Sequence, residues 1–91
     1  MFAMQARFPA DAVTIAGVSK TFVRTGERTT TFHFCPTCAA TLYYVSDDAA
    51  DRIAVPVGAF ADPAFPPPKI SVYEDRMHSW VKMPNDIEHL T

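Results

Sequence analysis

The sequence predicts a mainly β fold of about seven short strands with little helix. Short apolar segments alternate with a period of two or are rich in β-branched and aromatic residues, and turn-forming residues separate them. No window of 11 or more residues shows the periodicity of an amphipathic helix. With 91 residues, the chain corresponds to one small domain whose core is only marginally self-sufficient.

The first half of the chain contains four of the predicted strands. Apolar and polar residues alternate over residues 2–8, which predicts a strand with one buried face. A second, shorter alternation over residues 13–15 predicts another strand. Residues 21–23 are β-branched and aromatic, and the turn signal at 25–27 joins them to residues 28–34. These last two segments therefore predict a β-hairpin.

The second half supplies the remaining three strands. Residues 41–45 continue the β pattern, and the polar residues 46–48 form a turn. Alternation predicts a strand over residues 53–57, followed by a loop over 62–68. Residues 70–73 are the last clear strand.

The C-terminal residues carry weaker signals. We expect Trp80 and Val81 to pack back onto the core, because large apolar side chains dominate small cores. Asn85 or Asp86 is a candidate cap for a short terminal turn or helix.

Charge and hydropathy exclude several classes of protein. The net charge is −2 and the basic residues are scattered, so we expect neither nucleic acid nor a membrane surface as partner. No apolar run reaches the length of a membrane span, and the N-terminus lacks signal-peptide features, so we expect a cytoplasmic protein. Because the alternation begins at residue 2 with no lead-in, we expect the single domain, residues 1–91, to be N-terminally incomplete.

Cys35 and Cys38 form the one motif that carries chemistry, a CxxC between two predicted strands. This spacing places two thiolates at two corners of a zinc tetrahedron, and turn N–H groups can favour the thiolate form. A structural zinc needs four ligands, so the motif is a half-site, and two free thiols in a turn remain an equal alternative. A redox pair is less favoured. In such pairs a helix N-terminus lowers the pKa of the first cysteine, whereas the residues after Cys38 are predicted as a strand.

Other candidate groups favour ordinary structural roles. His33, His78 and His89 are isolated in the sequence and are expected at the surface, not at a metal. No catalytic residues are predicted, because no nucleophile–base order, phosphate loop or paired carboxylates occur.

Four aromatic residues are candidates for lining a small-molecule pocket, although core packing is the favoured role. They are Tyr43, Tyr44, Phe60 and Trp80.

An aromatic residue precedes the CxxC in Phe34-Cys35-Pro36-Thr37-Cys38, and Thr41-Leu42-Tyr43-Tyr44 follows it. In both features the sequence resembles the glutathione-dependent formaldehyde-activating (GFA) enzyme family. Further similar segments occur in the same order as in the family. They are residues 6–17, 57–63 and 70–73, together with Trp80.

This resemblance implies a small zinc-knuckle, β-sandwich-like fold with two zinc sites. It implies that Cys35 and Cys38 help to hold a structural zinc together with an N-terminal C-x-C pair. A separate C-x-C-x-x-C motif holds the second zinc in the family. The activity implied is a carbon–sulfur lyase reaction that forms S-hydroxymethylglutathione from glutathione and formaldehyde.

The chain departs from the family pattern at several points. Neither upstream cysteine motif occurs in these 91 residues, so catalytic zinc ligands are missing. Ala39 stands where the family usually has glycine, at a position where a knuckle often needs positive φ. Lys69 stands where a histidine is common.

Three hypotheses follow. The chain is part of an enzyme that handles a glutathione adduct or other small molecule, inactive as it stands. Alternatively, it is a non-catalytic zinc-binding or dimerising β module, in which Cys35 and Cys38 from two chains form one site across a two-fold axis. In the third hypothesis it is a plain β domain with free thiols. An exposed strand edge and apolar face favour a homodimer.

Overall fold

A computed structural model describes residues 2–91, and the fold is mainly β, as the sequence predicts. The helical segments in that range are short 3₁₀ turns: Ala10–Ala12, Asp47–Ala49, Val57–Phe60 and Glu74–Arg76. Seven strands form two sheets. The strands are β1 (Gln5–Pro9), β2 (Lys20–Arg24), β3 (Thr30–Phe34), β4 (Thr41–Ser46), β5 (Arg52–Pro56), β6 (Ile70–Ser71) and β7 (Glu88–His89).

The larger sheet has five antiparallel strands in the order β1-β5-β4-β3-β2. Consecutive strands from β2 to β5 are therefore spatial neighbours, and β1 closes the far side by pairing with β5. The strands β6 and β7 form a second, parallel pair. In residues 2–91 the five-stranded sheet leaves β1 and β2 as its two edges.

Five strands of the larger sheet occur where the sequence predicts them. In β1, Ala6 and Phe8 are half-buried while Gln5 and Arg7 are exposed, which confirms the predicted alternation. The predicted hairpin is β2 and β3, which pair antiparallel. In β5, the adjacent residues Ile53 and Ala54 are both buried, because this strand lies inside the sheet with both faces covered.

The strand predicted over residues 13–15 is wrong. This segment is irregular, and together with the residues up to Ser19 it lines a groove against Leu42 and Ile53. The backbone N–H of Val13 donates to Ala10 O and closes a turn, and Gly17 adopts φ of 91°, which favours glycine. This segment thus lies beside the sheet as a loop and not as a strand.

The C-terminal part differs from the prediction in two details, the length of one strand and the position of Trp80. Only Ile70–Ser71 of the predicted strand 70–73 is extended and paired, and β7 pairs with it. Residues 85–86 form a turn that leads into β7, which is one of the two forms that the sequence predicts there. Val81 is 6% exposed and joins the core as predicted, whereas Trp80 is 61% exposed and does not.

Within residues 2–91, the structure contains no helix with the length and apolarity that a membrane crossing needs.

Candidate metal centre

The knuckle is the turn of residues 35–40 that joins β3 to β4. A register shift after His33 ends the regular pairing of the two strands. The backbone N–H of Ala39 donates to Cys35 O at 2.8 Å, and the N–H of Cys35 donates to Ala40 O at 2.9 Å. These two bonds hold both ends of the turn together, so the positions of Cys35 and Cys38 are fixed by the hairpin.

Cys35 and Cys38 are both free thiols, with Cys35 half-buried and Cys38 exposed. The backbone N–H of Thr37 donates to Cys35 Sγ at 3.4 Å. The backbone N–H of Cys38 is the largest cause that lowers the pKa of Cys35, followed by that of Thr37 and by the Cys38 thiol. The turn therefore favours the thiolate, which is the form that binds metal.

Ala39 adopts a left-handed backbone with φ of 65°. The sequence predicts a positive φ at this position, and the structure confirms it. A side chain with a Cβ is strained in this region by about 1–2 kcal/mol, which glycine would avoid. The knuckle thus keeps the backbone path that a glycine would favour although alanine occupies the position.

The side chain of His33 is engaged by two neighbouring residues. Its ring stacks on Tyr43, with centroids 4.2 Å apart, and Nδ1 lies 3.3 Å from Ser19 Oγ. It is half-buried, whereas the sequence analysis expects a solvent-facing residue. Ser19 carries no sequence signal for this contact, because the loop before β2 brings it to His33 from 14 residues away.

The other two histidines are also engaged elsewhere. His78 stacks on Trp80, with the ring planes 6° apart, and His89 Nδ1 lies 2.5 Å from Glu74 Oε2. Within the described part of the chain, residues 2–91, no group of three or more His, Cys, Asp or Glu side chains is arranged to hold a metal ion. Cys35 and Cys38 can therefore supply at most two of the four ligands that a structural zinc needs.

The four aromatic candidates do not gather around one cavity. Tyr43 lines the groove of about 230 Å³ beneath residues 13–19, but that groove's lining includes neither Phe60 nor Trp80. Phe60 instead packs against Phe8 and Phe65. Tyr44 forms a tilted pair with Phe32, whereas Phe60 remains 42% exposed and is not a core residue.

Comparison with known proteins identifies the family. The family model described as glutathione-dependent formaldehyde-activating enzyme (GFA) matches residues 1–81. Neither a search of curated proteins nor a search of solved structures gives a match. The family match covers most of the 91 residues and includes the knuckle and all five strands of the larger sheet. The chain therefore belongs to the GFA family.

Proposed function

We propose that this chain is a non-catalytic GFA-family module whose knuckle supplies two thiolates, Cys35 and Cys38, to a structural zinc. The observation that carries the proposal is the hydrogen bond from the Thr37 backbone N–H to Cys35 Sγ within a turn closed at both ends. Such a turn favours a thiolate at a fixed position, and zinc selects thiolate ligands in tetrahedral sites. When bound, the zinc would crosslink the knuckle and stabilise it.

The site needs two further ligands, and a second copy of the chain can supply them. A two-fold axis beside the knuckle would bring Cys35 and Cys38 of both protomers together as a four-cysteine site. Cys38 is exposed, so the partner's knuckle has access to it. We therefore propose a zinc-linked homodimer.

We propose that this chain alone does not catalyse the family's reaction. The resemblance relates it to carbon–sulfur lyases that form S-hydroxymethylglutathione from glutathione and formaldehyde. In those enzymes, a second zinc site has its own cysteines, whereas these 91 residues contain only Cys35 and Cys38. We propose that the family's substrate is a glutathione adduct or related small molecule. This chain does not convert it. We also propose a cytoplasmic location, where a reducing environment keeps thiols free.

An activity assay tests the catalytic part of the proposal. The purified chain, supplied with zinc, is mixed with glutathione and formaldehyde, and adduct formation is followed by NMR. We expect the rate to equal that of the uncatalysed mixture. An acceleration that is lost in the Cys35→Ser/Cys38→Ser variant would contradict the proposal and assign catalysis to the knuckle.

Elemental analysis of single variants tests the metal part. We expect Cys35→Ser and Cys38→Ser each to lose the zinc that the unmodified chain retains after dialysis. His33→Ala is the matched control, because it removes a neighbouring imidazole that stacks on Tyr43, and it should retain zinc. If both cysteine variants keep the zinc and the melting temperature of the unmodified chain, the plain β domain with free thiols is the better description.

A further inference from the structure

The strand β2 is an open edge of the larger sheet. It pairs with β3 on one side only, so half of its backbone N–H and C=O groups face outward. All five of its residues are exposed, and its two large apolar side chains, Phe22 and Val23, are 59% and 51% exposed. The other edge, β1, is less open, because Ala6 and Phe8 are half-buried and Pro9 ends the strand.

The charges along β2 are all positive. Lys20, Phe22 and Arg24 alternate on one face, and Thr21 and Val23 occupy the other. No acidic residue occurs in the strand, although the whole chain carries a net charge of −2. This edge is therefore a local basic feature on an acidic protein.

Interactions with β3 keep Arg24 at the sheet edge. Its guanidinium lies over the ring of Phe32, 5.2 Å from the centroid. Phe32 is the direct cross-strand partner of Phe22. The positive charge and the exposed Phe22 ring are thus presented together on one face of the edge strand.

We propose that β2 accepts an extended acidic segment of a partner protein as an added strand. The backbone groups of β2 would pair with those of the segment, as in other cases of strand addition. On the face of Phe22, the segment would carry an apolar residue at its centre and acidic residues two positions to either side, opposite Lys20 and Arg24. This pattern is palindromic, so it fits a segment that runs parallel or antiparallel to β2.

Charge decides between this partner and a second copy of the chain. In a symmetric antiparallel pairing centred on Phe22, Lys20 of each copy would lie opposite Arg24 of the other. Like charges in directly opposed positions destabilise a strand pair, and lysine on an edge is a common barrier to self-pairing. An acidic segment turns the same two positions into favourable cross-strand pairs.

A peptide-binding experiment tests the proposal. The probe is a fluorescent, terminally blocked peptide with the central sequence Glu-Thr-Val-Thr-Glu, and the comparison peptide has lysine in place of both glutamates. We expect the protein to bind the acidic peptide at least about tenfold more tightly at low salt, from the two charge pairs. The difference should shrink as salt rises.

Charge-reversed variants give the specificity control. Lys20→Glu/Arg24→Glu should reverse the preference between the two peptides. Arg7→Glu/Arg52→Glu alters the net charge by the same amount at exposed positions on β1 and β5. It should leave the preference between the peptides unchanged. Circular dichroism checks that each variant keeps its β structure.

Three outcomes would overturn the proposal. They are equal binding of the two peptides, no binding of either, and a preference that the Lys20→Glu/Arg24→Glu variant retains. Self-association in the presence of a metal chelator, if abolished by Phe22→Asp, would also overturn it and assign the edge to a second copy. The chelator keeps this outcome separate from the zinc-linked dimer proposed above.

Discussion

Replacing Ala39 by glycine should stabilise the knuckle, because Ala39 holds a left-handed backbone with φ of 65°. This conformation is unfavourable for a residue with a Cβ by about 1–2 kcal/mol. Glycine avoids that strain, but it also increases the conformational entropy of the unfolded chain, which offsets about 0.4–1 kcal/mol. The net gain in unfolding free energy is about 0.5–1 kcal/mol. For a domain of this size, it corresponds to a rise in Tm of about 2–8 °C.

The assay is thermal unfolding followed by circular dichroism, with a chelator and a reductant present so that metal and disulfides do not contribute. Ala40→Gly is the matched control, because Ala40 is the adjacent alanine, is also exposed and has no positive φ. It should be less stable than the unmodified chain by about 0.5–1 kcal/mol. If Ala39→Gly melts at or below the temperature of the unmodified chain, the result contradicts the assignment of backbone strain to Ala39.

Three further changes probe the rest of the fold. Ile53→Ala removes a buried side chain inside the larger sheet and should lower the unfolding free energy in urea by about 2–4 kcal/mol; an unchanged midpoint would contradict its burial. The Ser71 hydroxyl and His89 lower the pKa of Glu74, so its stabilising contribution is complete above the ordinary value of 4.5 and is lost as the pH falls below it. Glu74→Gln should remove that part of the acid dependence of unfolding, and an unaltered pH profile would refute it. Trp80→Ser should change stability by less than about 0.5 kcal/mol, since this side chain is mostly exposed, and a larger loss would place it in the core.

The strands of the larger sheet were predictable because their signals are local. Alternation identifies β1 and β5, β-branched and aromatic residues identify β2 to β4, and turn residues separate the strands. The error at residues 13–15 has a physical cause. Apolar residues of a loop that borders a groove show the same short alternation as a strand, and only the tertiary structure distinguishes the two cases.

The pair of β6 and β7 was harder to predict because it depends on contacts between distant residues. Glu88 and His89 are polar and carry no strand signal, yet the N–H of Glu88 donates to Lys69 O and the N–H of Leu90 donates to Ser71 O. Strand pairing across such a separation is a property of the folded chain. The predicted total of seven strands is correct, although one predicted strand is a loop and β7 takes its place.

The local chemistry of the candidate site was largely predictable, whereas its surroundings were not. The CxxC spacing predicts a turn that favours thiolates, and the structure places N–H groups at Cys35 Sγ. The position of Ala39 predicts its positive φ. The engagement of His33 by Tyr43 and Ser19 depends on the register of the hairpin and on the preceding loop, which spacing alone does not give.

The most direct test of the central claim combines the zinc content of the purified chain with its mass in solution. Elemental analysis and light scattering are carried out on one sample at micromolar concentration. The account predicts one zinc for every two chains in a dimer that a chelator converts to monomers. A zinc-free monomer with both Cys35 and Cys38 reactive toward a thiol reagent would contradict it.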